Sequence, residues 1–413
     1  MYRILTIIVL LGALWPLPVR AAFQIEPRLL VREEFTDNLF LDDQDEESDF
    51  ITTVAPGVLL SYDVRLLELE LDYSLHYLKY LHNDQKDETS LSDTQRVQFR
   101  SVFLPGRDFS VTLIDEYQRV TIDSRRQVDE DNPFVNKSNR NKLVINPEYR
   151  SRYFKTFTPS AGYRFEKLDY DKPEGVDSDS HEVYLDLRKQ INPKLDMTLG
   201  ARQQFYRADQ DQDSGGEEDY DRLDVTGRID YRLSPALTLR AGGGSGWVDY
   251  KNRAEKQSVL WDVALSYQPG SRWLAEIAYR EDFSLSVDDG LSRSKRLDGT
   301  FSYLERLPVT LHLYAEKEDY ETVDREDRSA GGDFKITIPF VFRLALDLTG
   351  EASVWRFLPE DEDQFRYGAG LAASYPFKFG TLTAGYRYRA TNSDLDENDY
   401  QSNVVYVQAS LTF

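Results

Sequence analysis

The chain has 413 residues, a formal net charge of -22 at pH 7 and no cysteine. The absence of cysteine excludes disulfides, thiolate metal sites and c-type haem attachment, and so acidic a chain argues against nucleic acid as a partner. Its mean hydropathy is -0.56. This polar value does not exclude a membrane barrel, because every second residue of a barrel strand faces a wet lumen.

The first 21 residues have the pattern of a secretory signal peptide. Arg3 precedes an apolar run at residues 4–17, and the small residue Ala21 lies where a signal peptidase would cleave. The apolar run is shorter than a spanning helix needs, and Pro16 and Pro18 interrupt it. Cleavage after Ala21 leaves an exported chain, residues 22–413, in which there is no second long apolar run.

Residues 67–77 give the clearest strand. Leucine and tyrosine occupy every second position from Leu67 to Tyr77, and acidic or polar residues lie between them. Such alternation predicts a strand with one apolar and one polar face. Similar segments of about ten residues recur along the chain, which is the length a tilted strand needs to cross a bilayer. A soluble β-sandwich is the alternative, but the signal peptide and the strand length favour a membrane barrel.

The connections between predicted strands alternate in kind. Short turns with proline or glycine occur at residues 104–106, 191–193, 233–235, 268–270, 306–308 and 338–340. Between them lie longer acidic segments such as 42–47, 209–221 and 360–363, which we interpret as solvated loops. Outer-membrane barrels have short periplasmic turns and longer extracellular loops, so this pattern places both termini in the periplasm.

These features predict an all-β fold, a transmembrane antiparallel up-and-down β-barrel of about 20 strands, with 18 as the alternative. It forms one domain at residues 22–413 of the bacterial outer membrane. The apolar phase breaks near Asp115 and Pro147, which predicts bulges or register slips there. The last strand alternates up to Phe413, and this terminal aromatic residue resembles the insertion signal of bacterial outer-membrane barrels.

Assigning the apolar faces to lipid places the intervening residues in the lumen. Charges of both signs there either hold a polar wall together or form a transverse field that orients a polar solute. Tyrosines on the same wall could stack on sugar rings. The lumen-lining candidates are Arg100, Arg164, Arg188, Arg228, Arg240, Arg280, Arg387, Arg389, Glu68, Glu70, Asp72, Tyr184, Tyr206 and Tyr314. The loop at residues 124–138 is the candidate constriction.

No catalytic, cofactor or metal site is predicted. The histidines, His76, His82, His181 and His312, do not stand in the spacing of a hydrolase triad. The acidic residues 209–213 lack the glycine and glutamate placement of an EF-hand. We therefore expect no enzymatic activity.

The first predicted hairpin, residues 28–41 (RLLVREEFTDNLFL) and 48–57 (SDFITTVAPG), resembles a family of outer-membrane β-barrel porins from exopolysaccharide gene clusters. The resemblance implies a passive polar channel in exopolysaccharide export or surface assembly. A general or solute-specific diffusion porin and a structural or adhesive barrel are the alternatives. The expected partners are outer-membrane lipid and lipopolysaccharide, the barrel assembly machinery and polysaccharide export components.

Overall fold

The computed structural model describes residues 23–413 except 127–128, 130–131, 133, 155, 173–174, 210–218, 252 and 288–289. The predicted signal peptide therefore lies outside the described residues. The helices that are described are single turns at Asp84–Lys86, Leu91–Thr94, Val341–Arg343 and Asp396–Asn398. In this part of the chain no helix is long and apolar enough to cross a bilayer.

The strands of the described residues form one continuous antiparallel sheet. Apart from the short strand β4, each strand pairs with its neighbours in sequence, as in an up-and-down meander. The strands are β1 (Phe23–Thr36), β2 (Asp49–Val64), β3 (Leu67–Leu75), β4 (Tyr77–Tyr80), β5 (Gln95–Phe103), β6 (Phe109–Thr121), β7 (Lys137–Arg150), β8 (Thr158–Tyr170), β9 (Ser178–Asn192), β10 (Leu195–Ala208), β11 (Tyr220–Ser234), β12 (Leu237–Tyr250), β13 (Lys256–Tyr267), β14 (Trp273–Leu285), β15 (Leu291–Tyr303), β16 (Val309–Tyr320), β17 (Glu326–Pro339), β18 (Ala345–Leu358), β19 (Glu362–Phe377), β20 (Gly380–Ser393) and β21 (Tyr400–Thr412).

The sheet closes on itself because β1 pairs with β21 as well as with β2, in a register that sets Arg28 opposite Thr412. Both β3 and β4 pair with β2, so they are two parts of one barrel strand. The described chain thus forms a closed barrel of 20 strands, and the predicted fold class is confirmed. In the described part of the chain, closure removes the two free edges that an open sheet would expose to lipid.

Large apolar side chains lie on the outside of this barrel. Val183, Leu185 and Leu187 alternate along β9, and Val405 and Val407 along β21, and all five are exposed. Directly paired residues of antiparallel strands point to the same face. The strand registers therefore identify the outward-facing residues of each successive strand around the barrel. An apolar exterior and a polar interior are what a bilayer around a wet lumen requires.

Two local predictions were wrong. The register around Asp115 and Pro147 is regular, since β6 pairs with β7 without a shift, and the β7–β8 pairs on either side of Pro147 keep the same offset. Asp115 simply occupies a position on the outer face, between Phe99 and Leu143. The predicted strand 67–77 is instead interrupted at His76, whose backbone N–H donates to Thr94 O at 2.7 Å.

The connections follow the predicted alternation, with one correction. Residues 65–66 and 378–379 are tight turns at one end, whereas residues 37–48 and 122–136 are long loops at the other. The acidic run 360–363 is a tight turn followed by strand and not a long loop, because β19 begins at Glu362. At the end with the tight turns, Phe413 follows β21, donates its N–H to Pro27 O at 3.0 Å and exposes 65% of its surface. Its role as an assembly signal stays a prediction.

Candidate functional site in the lumen

The strand registers place the predicted lumen candidates on the inner face. Arg100 stands opposite Glu70, and Tyr184 stands opposite Arg202. The same inner face includes the other candidates, namely Arg164, Arg188, Arg228, Arg240, Arg280, Arg387, Arg389, Glu68, Asp72, Tyr206 and Tyr314. Their shared orientation defines a polar wall, and their role in transport stays a prediction.

Opposite charges pair along this wall. Arg164 Nη2 lies 2.7 Å from Glu166 Oε2, and Arg188 Nη2 lies 3.3 Å from Asp196 Oδ2. These side chains are partly exposed to the lumen, where such pairs contribute roughly 0–1 kcal/mol each. The contacts therefore organise the wall more than they stabilise the barrel.

The loop at residues 122–136, between β6 and β7, contacts the far side of the barrel. Ser124 Oγ accepts a hydrogen bond from Arg325 Nη2 at 2.7 Å and donates to Asp327 Oδ2 at 3.2 Å. Arg366 Nη2 donates to Ser124 O at 2.5 Å. Arg325 directly precedes β17, Asp327 is its second residue, and Arg366 belongs to β19. These residues are separated from the loop by β8–β16 on one route around the barrel, and by β20, β21 and β1–β5 on the other. The loop must therefore cross the lumen.

The same loop reaches well below the rim. Asp129 is bound by Arg389 through a charged hydrogen bond, and its second carboxylate oxygen lies 3.8 Å from Arg387 Nη2. Arg389 is four residues from Ser393, the outer end of β20, which corresponds to about 13 Å along a strand. Asp129 is 3% exposed. This buried carboxylate between two arginines fixes the loop inside the barrel, where the candidate constriction was predicted.

The near end of the loop is held by neighbouring loops. Asn132 Nδ2 donates to Leu39 O at 2.8 Å. The ring of Phe134 packs edge to face against Phe40 and Tyr80, with centroids 5.5 and 6.2 Å apart. This packing leaves the side chain of Tyr80 fully buried.

Electrostatics stabilise the loop at Asp123. Burial opposes ionisation of this carboxyl group, but hydrogen bonds from the side chain and backbone of Arg125 outweigh burial and lower the pKa of Asp123 below its ordinary value. Arg325 Nη2 also lies 3.9 Å from Asp123 Oδ1. The carboxylate is therefore charged at neutral pH and links the loop to the start of β17.

A second inward element is the hairpin formed by the outer ends of β14 and β15. The pairing of β13 with β14 covers Trp261–Tyr267 and Ala275–Glu281, so the outer part of β14 is released to lean inward. There it joins an apolar cluster that spans six strands. The cluster consists of Tyr206, Tyr220, Val248, Tyr250, Leu260, Phe283 and Leu291.

The hairpin also meets the β8–β9 loop, because Val176 N donates to Val287 O at 3.3 Å. Beneath it, the β8–β14 wall encloses a polar cavity of about 560 Å³ lined by arginines and carboxylates, including Arg202 and Arg280. Gly244 and Gly246 of β12 allow the neighbouring strand β11 to approach closely. A Cβ on Gly244 would lie 2.1 Å from Val225 O, and one on Gly246 would lie 2.7 Å from Asp224 Oδ1.

The three tyrosine candidates do not form one sugar-binding track. Tyr206 is only 2% exposed, beneath Tyr220, whose ring stacks on it at 4.7 Å between centroids. Tyr184 is half-buried and donates to Glu148 Oε2 at 3.0 Å. Tyr314 lies on another part of the wall, under the guanidinium of Arg296 at 4.8 Å.

Among the described contacts, neither His76 nor His312 combines a serine partner with an orienting acid, the arrangement that a hydrolase needs. His312 lies between two carboxylates, 3.1 Å from Asp333 Oδ1 and 3.1 Å from Asp298 Oδ1. His76 Nε2 contacts Ser74 Oγ at 3.0 Å, but no acid that would orient this imidazole is hydrogen-bonded to it among the described contacts. Nor does the described part of the chain contain a group of side chains arranged to hold a metal ion.

Sequence reasoning missed the Arg325–Asp327 anchor and the inward hairpin. One signal for the hairpin was available: on the lumen-facing side of its strand, the apolar residue Leu260 lies between the polar residues Ser258 and Asp262. Such residues on a wet wall require an apolar cover. Nothing in the local pattern at Arg325 identifies its distant partner Ser124.

No family model matches the chain, and no curated protein sequence matches it either. Solved structures do match its fold. A variant of the ferric enterobactin receptor PfeA from Pseudomonas aeruginosa, in complex with enterobactin, superposes with a TM-score of 0.53 and 9% identity, over 94% of this chain and 81% of that one. The FrpB iron transporter from Neisseria meningitidis gives a TM-score of 0.50 and 9% identity, over 96% and 82%.

At this identity the likeness shows the fold alone. That fold is a large β-barrel of the Gram-negative outer membrane, similar to transporter and receptor barrels rather than to enzymes. The protein is therefore an outer-membrane β-barrel, as its sequence predicted.

Proposed function

We propose that the barrel is a passive channel for a polar solute of the saccharide class, acting in exopolysaccharide export or surface assembly. The observation that carries this proposal is the loop 122–136, which crosses a wide polar lumen and is held there by Asp129 and Ser124. A barrel of this strand number leaves room for water. A loop across that space narrows the passage and gives it selectivity.

The polar wall supports a hydroxyl-rich cargo. Carboxylates and guanidinium groups that line the lumen can exchange hydrogen bonds with sugar hydroxyls as they do with water. Paired charges also leave no dominant sign of field to reject a neutral polymer. The link to exopolysaccharide itself rests on the resemblance of residues 28–57 to the porin family, and so needs its own test.

Transport without chemistry is part of this proposal. His312 is flanked by Asp298 and Asp333, which gives it acid partners but no serine to activate. We expect His312→Ala and His76→Ala to leave transport unchanged, and the wild-type protein to hydrolyse neither lipid ester nor peptide substrates. Hydrolysis that either substitution abolished would contradict the proposal.

Liposome swelling tests the passage directly. Liposomes that contain the purified protein should swell in neutral and acidic oligosaccharides faster than protein-free liposomes. The matched cellular experiment separates export from general diffusion. Deleting the gene should reduce surface polysaccharide, whereas loss of a diffusion porin would leave it intact. Swelling equal to that of protein-free liposomes would contradict a saccharide channel.

A further inference from the structure

Four cationic residues stand side by side on the outer face of the barrel. Cross-strand pairing places Lys295 opposite Lys317, Lys317 opposite Arg328, and Arg328 opposite Arg356. They therefore form one row across β15–β18, which we call the cation row. Neighbouring strands are about 4.8 Å apart, so like charges are adjacent, an arrangement that is destabilising unless compensated.

The cation row lies at the upper boundary of the apolar surface. Two positions nearer the membrane, on the same face, the four strands carry the apolar residues Leu297, Ala315, Ala330 and Val354. These residues pair across the strands in the same order as the cations. The cations are thus the first charged residues above the lipid-facing band, on the side of the long loops.

Carboxylates hold the cations from above. Asp319 and Glu326, which pair with each other one step further from the membrane, lie 2.8 and 2.7 Å from Lys317 Nζ. Glu326 also binds Arg328. The side chains of the cation row nonetheless remain between 36% and 55% exposed. The carboxylates lie further from the membrane than the cations, so the positive side of this part of the rim faces the membrane.

The rim elsewhere has a different pattern. On β8–β10 the outward residues Lys167, Asp179 and Arg207 pair directly across the strands, so that each cation faces an acid. The cations there are thus compensated by the acid that stands directly opposite them. In the cation row only the two end residues face acids across the strands, Lys295 opposite Glu281 and Arg356 opposite Asp363. The central pair, Lys317 and Arg328, faces other cations on both sides and has its acids only above, so its lower side is available at the level of lipid headgroups.

We propose that the cation row is a binding site for the phosphate groups of lipopolysaccharide in the outer leaflet. The phosphates of this lipid lie just above its acyl chains, at the level where the apolar band ends. Lysine and arginine are the usual phosphate ligands, and anionic lipid attracts basic residues at a membrane surface. A headgroup phosphate in this position relieves the repulsion within the row, while Asp319 and Glu326 keep the cations in place.

The test measures how tightly the purified, folded protein binds lipopolysaccharide. Lys317→Gln combined with Arg328→Gln removes the centre of the row, and Lys167→Gln combined with Arg207→Gln removes two outward cations from the contrasting region as a matched control. Each protein is titrated with phosphorylated lipopolysaccharide and with the same material after enzymatic dephosphorylation. Folding of each variant is checked by its heat-modifiable mobility in gels.

We expect the row variant to bind the phosphorylated lipid roughly 30-fold more weakly than wild type, since about that factor follows from two basic residues at an anionic surface. The control should bind as wild type does. If the row variant fails to fold, Lys317→Glu combined with Glu326→Lys keeps the net charge and the ion pair but reverses their order, and it should show the same loss. Equal binding of dephosphorylated lipid by wild type, or equal losses in row and control variants, would overturn the site.

Discussion

The loop 122–136 and the β14–β15 hairpin both project into the lumen, but different chemistry holds them. The loop is fixed by charged and polar contacts, such as Asp129 with Arg389 and Ser124 with Arg325. The hairpin is fixed by an apolar cluster that includes Phe283 and Tyr220. Polar contacts can be exchanged for contacts with water, whereas an apolar cluster must expose its surface in order to open.

This difference suggests two roles. The hairpin is a permanent part of the wall, and its cluster lines a small cavity between the hairpin and β8–β11. The loop is an adjustable constriction, because its polar anchors at Asp129 and Ser124 can be replaced by hydrogen bonds to water at modest cost. The following predictions test whether that division is correct, from the largest expected effect to the smallest.

Phe283→Ala should destabilise the barrel most. Phe283 is buried among Val248, Leu260 and Tyr250, and the loss of such a ring costs about 3–5 kcal/mol. The measurement is the free energy of unfolding in urea, in lipid or detergent. Phe365→Ala, which removes an exposed ring from the outer face, is the control and should cost less. Equal costs would mean that the hairpin cluster is not a structural core.

Asp129→Asn should release the loop with little effect on the barrel. The substitution removes the charge that binds Arg387 and Arg389, a loss of about 1–3 kcal/mol for a buried charged contact. Single-channel conductance should rise and its fluctuations increase. Asp262→Asn, on the wall of the β8–β14 cavity, is the matched control and should leave conductance near the wild-type value. A rise in both variants would point to lumen charge rather than to loop position.

Acid should weaken the loop through Asp123. Because the pKa of Asp123 is lowered in the folded protein, its stabilising contribution is complete above the ordinary value of about 3.9 and is lost as the pH falls through the lowered pKa. Conductance should therefore stay constant from neutral pH down to about pH 5 and rise below about pH 4. Asp123→Asn should show less of this acid response. A transition near neutral pH would contradict the assignment to this carboxylate.

The barrel could be predicted because its signal is local. Alternation within residues 67–77 or along the last strand identifies the face of each strand without knowledge of any partner. Strand pairing then follows from sequence order, and the inner face with Arg100 and Glu70 follows from the pairing.

What could not be predicted depends on distant contacts. The break at His76 arises because its N–H binds Thr94 instead of a neighbouring strand. The position of the loop 122–136 depends on Arg325, Arg366 and Arg389, which come from strands far along the chain. A pattern within one strand carries no information about which residue of the opposite wall a loop will meet. Length alone identified the loop as a candidate constriction.

Planar-bilayer conductance of the wild-type barrel and of a variant with residues 124–134 replaced by a short Gly-Ser linker tests the central claim most directly. The claim predicts discrete channels for the wild type, and larger, less selective channels for the variant, because the constriction has been removed while the 20-strand wall remains. The absence of channels from both folded proteins would contradict a passage through the lumen and favour a structural or adhesive role.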